Sequence, residues 1–419
     1  MNTTRPEIKV IAAVGLLLAV VVVLTWGNYQ FAMNNPGGSD FMPRWLGTRD
    51  FLTLGRSPYS QGTTRAIQRF FYGRTALAGE DQQLFVYPFY SMLVFAPFAW
   101  TDNYELARAI WMTTLELSLG GIAFISLVLV EWQPKRKVLI IYLLFAFMWY
   151  HAVRPVINGN ASVIVALFIV FTLFGVVRGN FVSAGIMLAL STIKPHMVVL
   201  FVPFVLWWAL SRRELRLIWS FLVSMLLLVG GSLLLDRYWI IDNLRQIIAY
   251  PQYTLPGTPG AIFAGWWPDN GGRIGIWLTA VLALLLLREW LAAYGKDTRW
   301  FLWTAGITLV ITNLIGIRTA TANYIALFPL LPLLFSLWEQ RWQRVGRWLV
   351  LITMALLFIG IWWLFLATLI KAEQPTQHPL LFFPLPIFLF IAFYWMRYWS
   401  LVSRQYRIRE TKKGLELAK

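Results

Sequence analysis

The chain has 419 residues, of which 58% are hydrophobic and only 13% charged, with a formal net charge of +17. An ordinary soluble domain has roughly 45–50% apolar and about 25% charged residues, so these figures exclude a cytosolic enzyme and a disordered chain alike. The absence of cysteine excludes a disulfide framework, thiolate metal sites and a cysteine nucleophile. His151, His196 and His378 are too scattered for a helical metal motif. With a mean hydropathy of +0.62, the excess of Lys and Arg reads as loops facing anionic lipid, not as a nucleic-acid surface. A polytopic, all-α membrane protein is expected.

A helix needs about 20 apolar residues to cross roughly 30 Å of hydrocarbon. Twelve stretches are expected to span: 8–27, 105–130, 138–152, 160–177, 181–193, 196–210, 217–235, 274–291, 300–316, 322–338, 348–370 and 380–402. The shorter stretch 85–100 carries Pro88 and Pro97 and is expected to lie on or dip into the outer face. With the N-terminus inside, Lys135–Lys137, Arg178, Arg212, Arg213, Arg216, Lys296, Arg299, Arg341, Arg344, Arg347 and the basic tail 403–419 all become cytoplasmic. Only Arg154, Lys194, Arg318 and Lys371 remain in short outer loops. Both termini are therefore placed in the cytoplasm, and the chain is read as a single transmembrane domain. The two long loops, 28–104 and 236–273, then face outward, and long loops in a compact architecture usually carry function.

The first long loop opens with Asn34-Asn35-Pro36-Gly37-Gly38-Ser39-Asp40. Pro43 predicts a helix start and Gly55 its end. Trp45, Leu46, Phe51 and Leu52 give that helix a loosely amphipathic face suited to the membrane surface. Asp40 has two readings: a cap on the free amides of this helix, or a carboxylate that accepts a proton from a substrate hydroxyl, with Arg44 beside it. The only other acid near it in sequence is Asp50.

Lys194-Pro195-His196 interrupts the apolar run 181–210. It is either an outer hairpin with a snorkelling lysine or a cationic lining for the phosphate of a lipid carrier. Arg154, Arg273 and Arg318 read singly as interfacial anchors, and together as further phosphate-binding charge. Trp266, Trp267 and Tyr253 belong either to an interfacial aromatic belt or to a sugar-stacking surface. Glu116 falls within an expected span, and is read either as a functional carboxylate or as a protonated packing residue.

The blocks Asp40-Phe41, Trp45, Phe51-Leu52, Gly55, Pro58-Tyr59, Tyr87-Pro88 and Ala96-Pro97 resemble the first outer loop of glycosyltransferase family 87. Asn158-Gly159-Asn160, Ala184-Gly185, Lys194-Pro195 and Asn323-Tyr324 with Pro332 follow in the same order. The resemblance implies the GT-C fold and a donor in which a sugar, mannose in that family, is joined through phosphate to a polyprenol. It also implies a glycolipid or glycan acceptor, inversion at the anomeric carbon, and Asp40 as the catalytic base. No cofactor is implied, and the sequence requires no divalent metal. Lys194, His196, Arg273, Arg318 and Arg154 become candidates for the donor phosphate, and Arg44, Tyr87, Asn160, Asn323, Tyr324 and Trp266 for substrate contacts. Family members often carry His where Asn323 stands, and Gln where Asn160 stands. The membrane expected is a bacterial cytoplasmic membrane, with the active site on its extracytoplasmic face. A transporter or lipid-linked sugar flippase is the alternative, although no two similar halves are visible. A non-catalytic carrier-lipid binder of the same fold is another.

Overall fold

The structure, a computed structural model, describes residues 6–250, 257–369 and 377–402. Tyr253, Lys371 and the basic tail 403–419 lie outside these described residues. Among them every regular element is helical and there is no strand. Apolar side chains in lipid force this outcome, because a helix satisfies its own backbone where no water can.

In chain order the α-helices are α1 Pro6–Asn34, α2 Met42–Leu54, α3 Gln61–Tyr72, α4 Met92–Ala99, α5 Tyr104–Leu129, α6 Arg136–Met148 and α7 Tyr150–Asn158. These are followed by α8 Ser162–Val177, α9 Phe181–Ser191, α10 Phe201–Ser211, α11 Leu215–Leu235, α12 Trp239–Ala249 and α13 Pro259–Trp266. The last are α14 Gly271–Ala293, α15 Thr298–Thr312, α16 Leu330–Trp342, α17 Arg344–Ala355, α18 Ile361–Thr368 and α19 Pro384–Arg397.

Seven described helical stretches are long and apolar enough to cross a membrane, and eight if the bent pair Thr321–Leu327 and Leu330–Trp342 forms one span. Twelve were expected from the sequence. The shortfall has a geometric cause, since each helical residue advances only about 1.5 Å. Helix α8 has 16 residues, α15 has 15, and α9 and α10 have 11 each. The last two are separated by the break at Lys194-Pro195. The stretch 85–100 becomes a short 3₁₀ turn and the 8-residue α4, far too short to cross.

The chain forms two compact units. The first holds Met1–Leu119, Val153–Val163 and Leu228–Thr254, and the second Gly120–Ala152, Ile164–Leu227 and Leu255–Lys419.

The first unit is organised on an aromatic core. Phe41 stacks on Trp111 with ring centroids 5.5 Å apart and an interplanar angle of 12°. Phe95 and Phe98 close on the same indole at 5.3 and 5.0 Å. Trp45 is buried in this cluster, against Tyr104 and Phe70, and its Nε1 donates to the Phe98 carbonyl at 3.1 Å. The surface-lying face expected for α2 is thus corrected at Trp45, which the core claims, while Leu52 and Leu54 stay exposed. Helix α1 leans on α5 through polar groups. Thr25 Oγ1 and Asn28 Nδ2 both donate to Thr113 Oγ1 at 3.1 Å, and Asn28 also donates to Glu116 Oε2 at 2.9 Å. Glu116 is therefore a packing partner of Asn28.

In the second unit, Glu289 is sealed from solvent, and the Arg397 guanidinium reaches it through Nε at 3.0 Å and Nη2 at 2.9 Å. Tyr142 donates to the Ala123 carbonyl at 3.0 Å, and Trp303 to that of Phe393 at 3.0 Å. Each tie gives a polar group inside an apolar helix the partner that burial demands.

Candidate active site

Helix α2 begins at Met42 with Phe41 as its capping residue, and no side chain caps it. The turn before it does that work with backbone: the Phe41 and Met42 amides donate to the Gly38 carbonyl at 2.8 and 2.9 Å. Asp40 is thereby released from the capping role that its position suggests. Its carboxylate instead accepts from Asn160 Nδ2 at 3.0 Å, while Asn160 Oδ1 accepts from the Ser162 amide at 2.9 Å. An amide held at its oxygen end presents its NH₂ in one direction, so Asn160 aims Asp40 as well as binding it.

The loop that carries Asp40 is clasped from two sides. Tyr104 Oη donates to the carbonyls of Gly37 and Gly38 at 2.9 and 3.1 Å. Arg108, only 2% exposed, donates through Nη1 to the Asn35 carbonyl at 2.7 Å and through Nη2 to that of Ile157 at 3.2 Å. The Asp40 amide donates to the Asn158 carbonyl at 3.1 Å. Gly38 has a φ of +76°, and an added Cβ would meet Tyr104 Oη at 2.5 Å. Gly159 has a φ of +70°, and its Cβ would meet that of Phe41 at 2.5 Å. Only glycine suits either place.

Arg44 lies one helical turn on from Asp40 and is 8% exposed. Its guanidinium carbon sits 4.4 Å from the centroid of the Tyr87 ring, and its buried Nε has no hydrogen-bond partner. Burial raises the Tyr87 phenol, with Arg44 opposing and Asp40 adding to the rise. Tyr87 is held by its backbone, whose carbonyl accepts from Tyr59 Oη at 2.6 Å and Asn243 Nδ2 at 3.0 Å.

Asp50, the acid nearest Asp40 in sequence, is committed elsewhere, to Thr63 Oγ1 at 3.1 Å and Arg56 at 3.3 Å. The acid that does share the field of Asp40 and Arg44 is Asp81, which sequence reasoning missed. Burial pushes its carboxyl up, the Gln83 amide and the Arg44 guanidinium pull it down, and the Asp40 charge adds to the rise. Forty residues of intervening chain hide that neighbourhood from any local motif.

The other site candidates fall in the second unit, except Arg154, which belongs to the first. The Lys194 ammonium is buried and donates to Asn323 Oδ1 at 2.7 Å. Asn323 Nδ2 lies 3.2 Å from His196 Nε2 and donates to Thr319 Oγ1 at 3.2 Å. The structure thus brings Lys194, His196 and Asn323 together. Tyr324, expected as a substrate contact, is fully buried, and its hydroxyl donates to the Phe382 carbonyl at 2.8 Å. Arg273 is exposed in the first turn of α14. Trp266 is partly exposed and packs on Phe383 and Trp267 at 5.7 and 5.9 Å. Arg318 and Arg154 are half-buried. Among the described residues no three His, Asp or Glu come together as a metal site would require.

The family model described as "Glycosyltransferase family 87" matches residues 85–315. Tyr87, Arg154, Asn160, Lys194, His196, Trp266 and Arg273 lie inside that stretch; Asp40, Arg44 and Asp81 precede it, and Arg318, Asn323 and Tyr324 follow it. No curated protein and no solved structure matches the chain. The match covers more than half of the sequence, and with apolar helices of spanning length it agrees with the GT-C superfamily. The chain belongs to glycosyltransferase family 87 and is a membrane glycosyltransferase.

Proposed function

We propose that the protein moves a sugar, mannose by the resemblance of its motifs, from a polyprenyl-phosphate carrier to a hydroxyl of a glycolipid or glycan. The reaction takes place on the extracytoplasmic face of a bacterial cytoplasmic membrane and inverts the anomeric carbon. The acceptor oxygen bonds to that carbon and its proton passes to the Asp40 carboxylate. The bond from the carbon to the phosphate oxygen breaks, and its electron pair departs with the polyprenyl phosphate. A phosphate ester is a weakly basic leaving group, so no carboxylic acid is needed to protonate it, unlike glycoside hydrolysis. Lys194 and His196 are the residues assigned to the phosphate, Arg154 and Arg318 are further cations for it, and Arg44 and Tyr87 are assigned to substrate.

The observation that carries this reading is the setting of Asp40. It is a carboxylate excused from capping, aimed by Asn160 and mounted on a loop clasped by Arg108 and Tyr104. Such preorganisation suits a base that must meet a proton in one geometry. The test is sugar transfer by the purified protein in lipid, given polyprenyl-phosphate mannose and candidate acceptors, with and without Asp40→Asn. Transfer that disappears with the substitution supports the enzyme. Movement of the lipid-linked sugar across the bilayer without new glycosidic bonds supports a flippase instead.

Asn160→Ala removes the donor that orients Asp40. A hydrogen bond to a charged group is worth about 1.5–3 kcal/mol, so kcat is expected to fall roughly ten- to a hundredfold. KM for the donor should change little, and steady-state kinetics over both substrates separates the two effects.

A further inference from the structure

The Lys194–Asn323–His196 cluster has a polarity that its donors and acceptors dictate. Asn323 is 2% exposed, in the turn Thr321–Leu327. An ammonium only donates, so the 2.7 Å contact from Lys194 Nζ fixes the amide oxygen on that side. The amide nitrogen must then face the other way, where it lies 3.2 Å from both His196 Nε2 and Thr319 Oγ1. An amide NH₂ also only donates, so His196 Nε2 has to accept. It therefore carries no proton, and the single ring proton sits on Nδ1. Thr319 Oγ1, having accepted, donates to Asn313 Oδ1 at 2.9 Å, which continues the same polarity. An imidazolium would set two N–H donors head to head at Asn323. The buried Lys194 ammonium, held at the other end of the same amide, opposes a second positive charge on the ring. His196 Nδ1 has no hydrogen-bond partner among the described residues and is not sealed from solvent.

We propose that Asn323 is a positioning residue that fixes His196 as a neutral Nδ1–H donor, so that a phosphate ester bound here meets one permanent cation, Lys194, and one uncharged hydrogen-bond donor. The inference rests on the donor-site reading given above. It assigns His196 no proton transfer to the leaving phosphate: the ring binds and does not titrate in the working range. An imidazole at 323 would offer the same acceptor and donor pair, but it would bring a titratable group with it.

Three histidines in the whole chain make the test direct. Full-length protein with ¹⁵N-labelled imidazoles, reconstituted in lipid, is followed by NMR, and the His196 signals are identified by their loss in His196→Gln. The expected result is the neutral Nδ1–H form across about pH 5–8, the range in which a free imidazole changes charge. Adding polyprenyl phosphate should move the Nδ1 resonance. Asn323→Asp, nearly isosteric, replaces the donor facing Nε2 by an acceptor; it should move a proton onto Nε2, make the ring titrate, and weaken polyprenyl phosphate binding by about tenfold or more. Asn323→His should retain binding near neutral pH and lose it on one side of that range. An Nε2–H or imidazolium signal in the unaltered protein overturns the proposal. So does an Nδ1 resonance that ignores polyprenyl phosphate while the lipid binds elsewhere. If the tautomer is as stated but polyprenyl phosphate does not bind at all, the donor-site reading falls and the assignment of a phosphate ligand falls with it.

Discussion

Asp40→Asn is expected to reduce sugar transfer by about 10²–10⁴-fold, the usual contribution of a positioned general base. The fold should hardly register the change. The oxygen of a new amide can still accept from Asn160 Nδ2, and no helix loses a cap, because Asp40 provides none. Donor binding should also persist, so the loss should appear in kcat with KM for the lipid-linked sugar nearly constant. Asp50→Asn is the contrasting case. Its carboxylate is bound to Thr63 and Arg56, so stability, and not the rate of transfer, should change. Thermal unfolding measured beside the transfer assay distinguishes the two variants. Equal loss of activity in both would remove the special standing of Asp40.

Gly159→Ala is expected to damage stability and activity together. The backbone there is left-handed at φ +70°, and the added methyl would stand 2.5 Å from Phe41 Cβ and 3.3 Å from the Trp111 ring. Left-handed geometry costs an ordinary residue about 1–2 kcal/mol, and forced overpacking adds about 1–3 kcal/mol. Phe41 is the residue next to Asp40, so relief of the clash displaces the base. Gly55→Ala is the control: the same left-handed region, at φ +62°, but nothing within 4 Å of the added carbon. It should show the conformational cost alone and leave the transfer rate near that of the unaltered protein. Unfolding midpoints together with specific activities decide between a crowding effect and a purely conformational one.

Local chemistry made much of this protein legible in the sequence. The stop of α2 at Gly55 follows from a residue that tolerates a left-handed cap, and the interruption at Lys194-Pro195 from a ring that cannot donate. The helical, membrane-borne character follows from composition alone. Hydropathy alone set no helix length: the apolar stretches 181–193 and 196–210 hold helices α9 and α10 of 11 residues each, because a window counts residues and not how many of them stay helical. Trp45 looked interfacial because an indole suits that zone, yet the aromatic core of the first unit offered it full burial and a carbonyl for its N–H. Asp81 was invisible because the charges of Arg44 and Asp40 act on it only through the tertiary folding of the first loop. The same holds for Asn323, whose importance lies in two partners more than a hundred residues away.

Helix α1 touches protein over little of its length; from Ile11 to Trp26 its aliphatic side chains are largely exposed, and Thr25 and Asn28 supply its polar hold. Fatty acyl chains must therefore serve as the remaining wall of that helix. Stripping them away with detergent would loosen α1 first, and the next segment along the chain is the loop that Arg108 clasps and that carries the Asp40 carboxylate. Delipidated preparations should thus fall silent while their circular dichroism still looks intact.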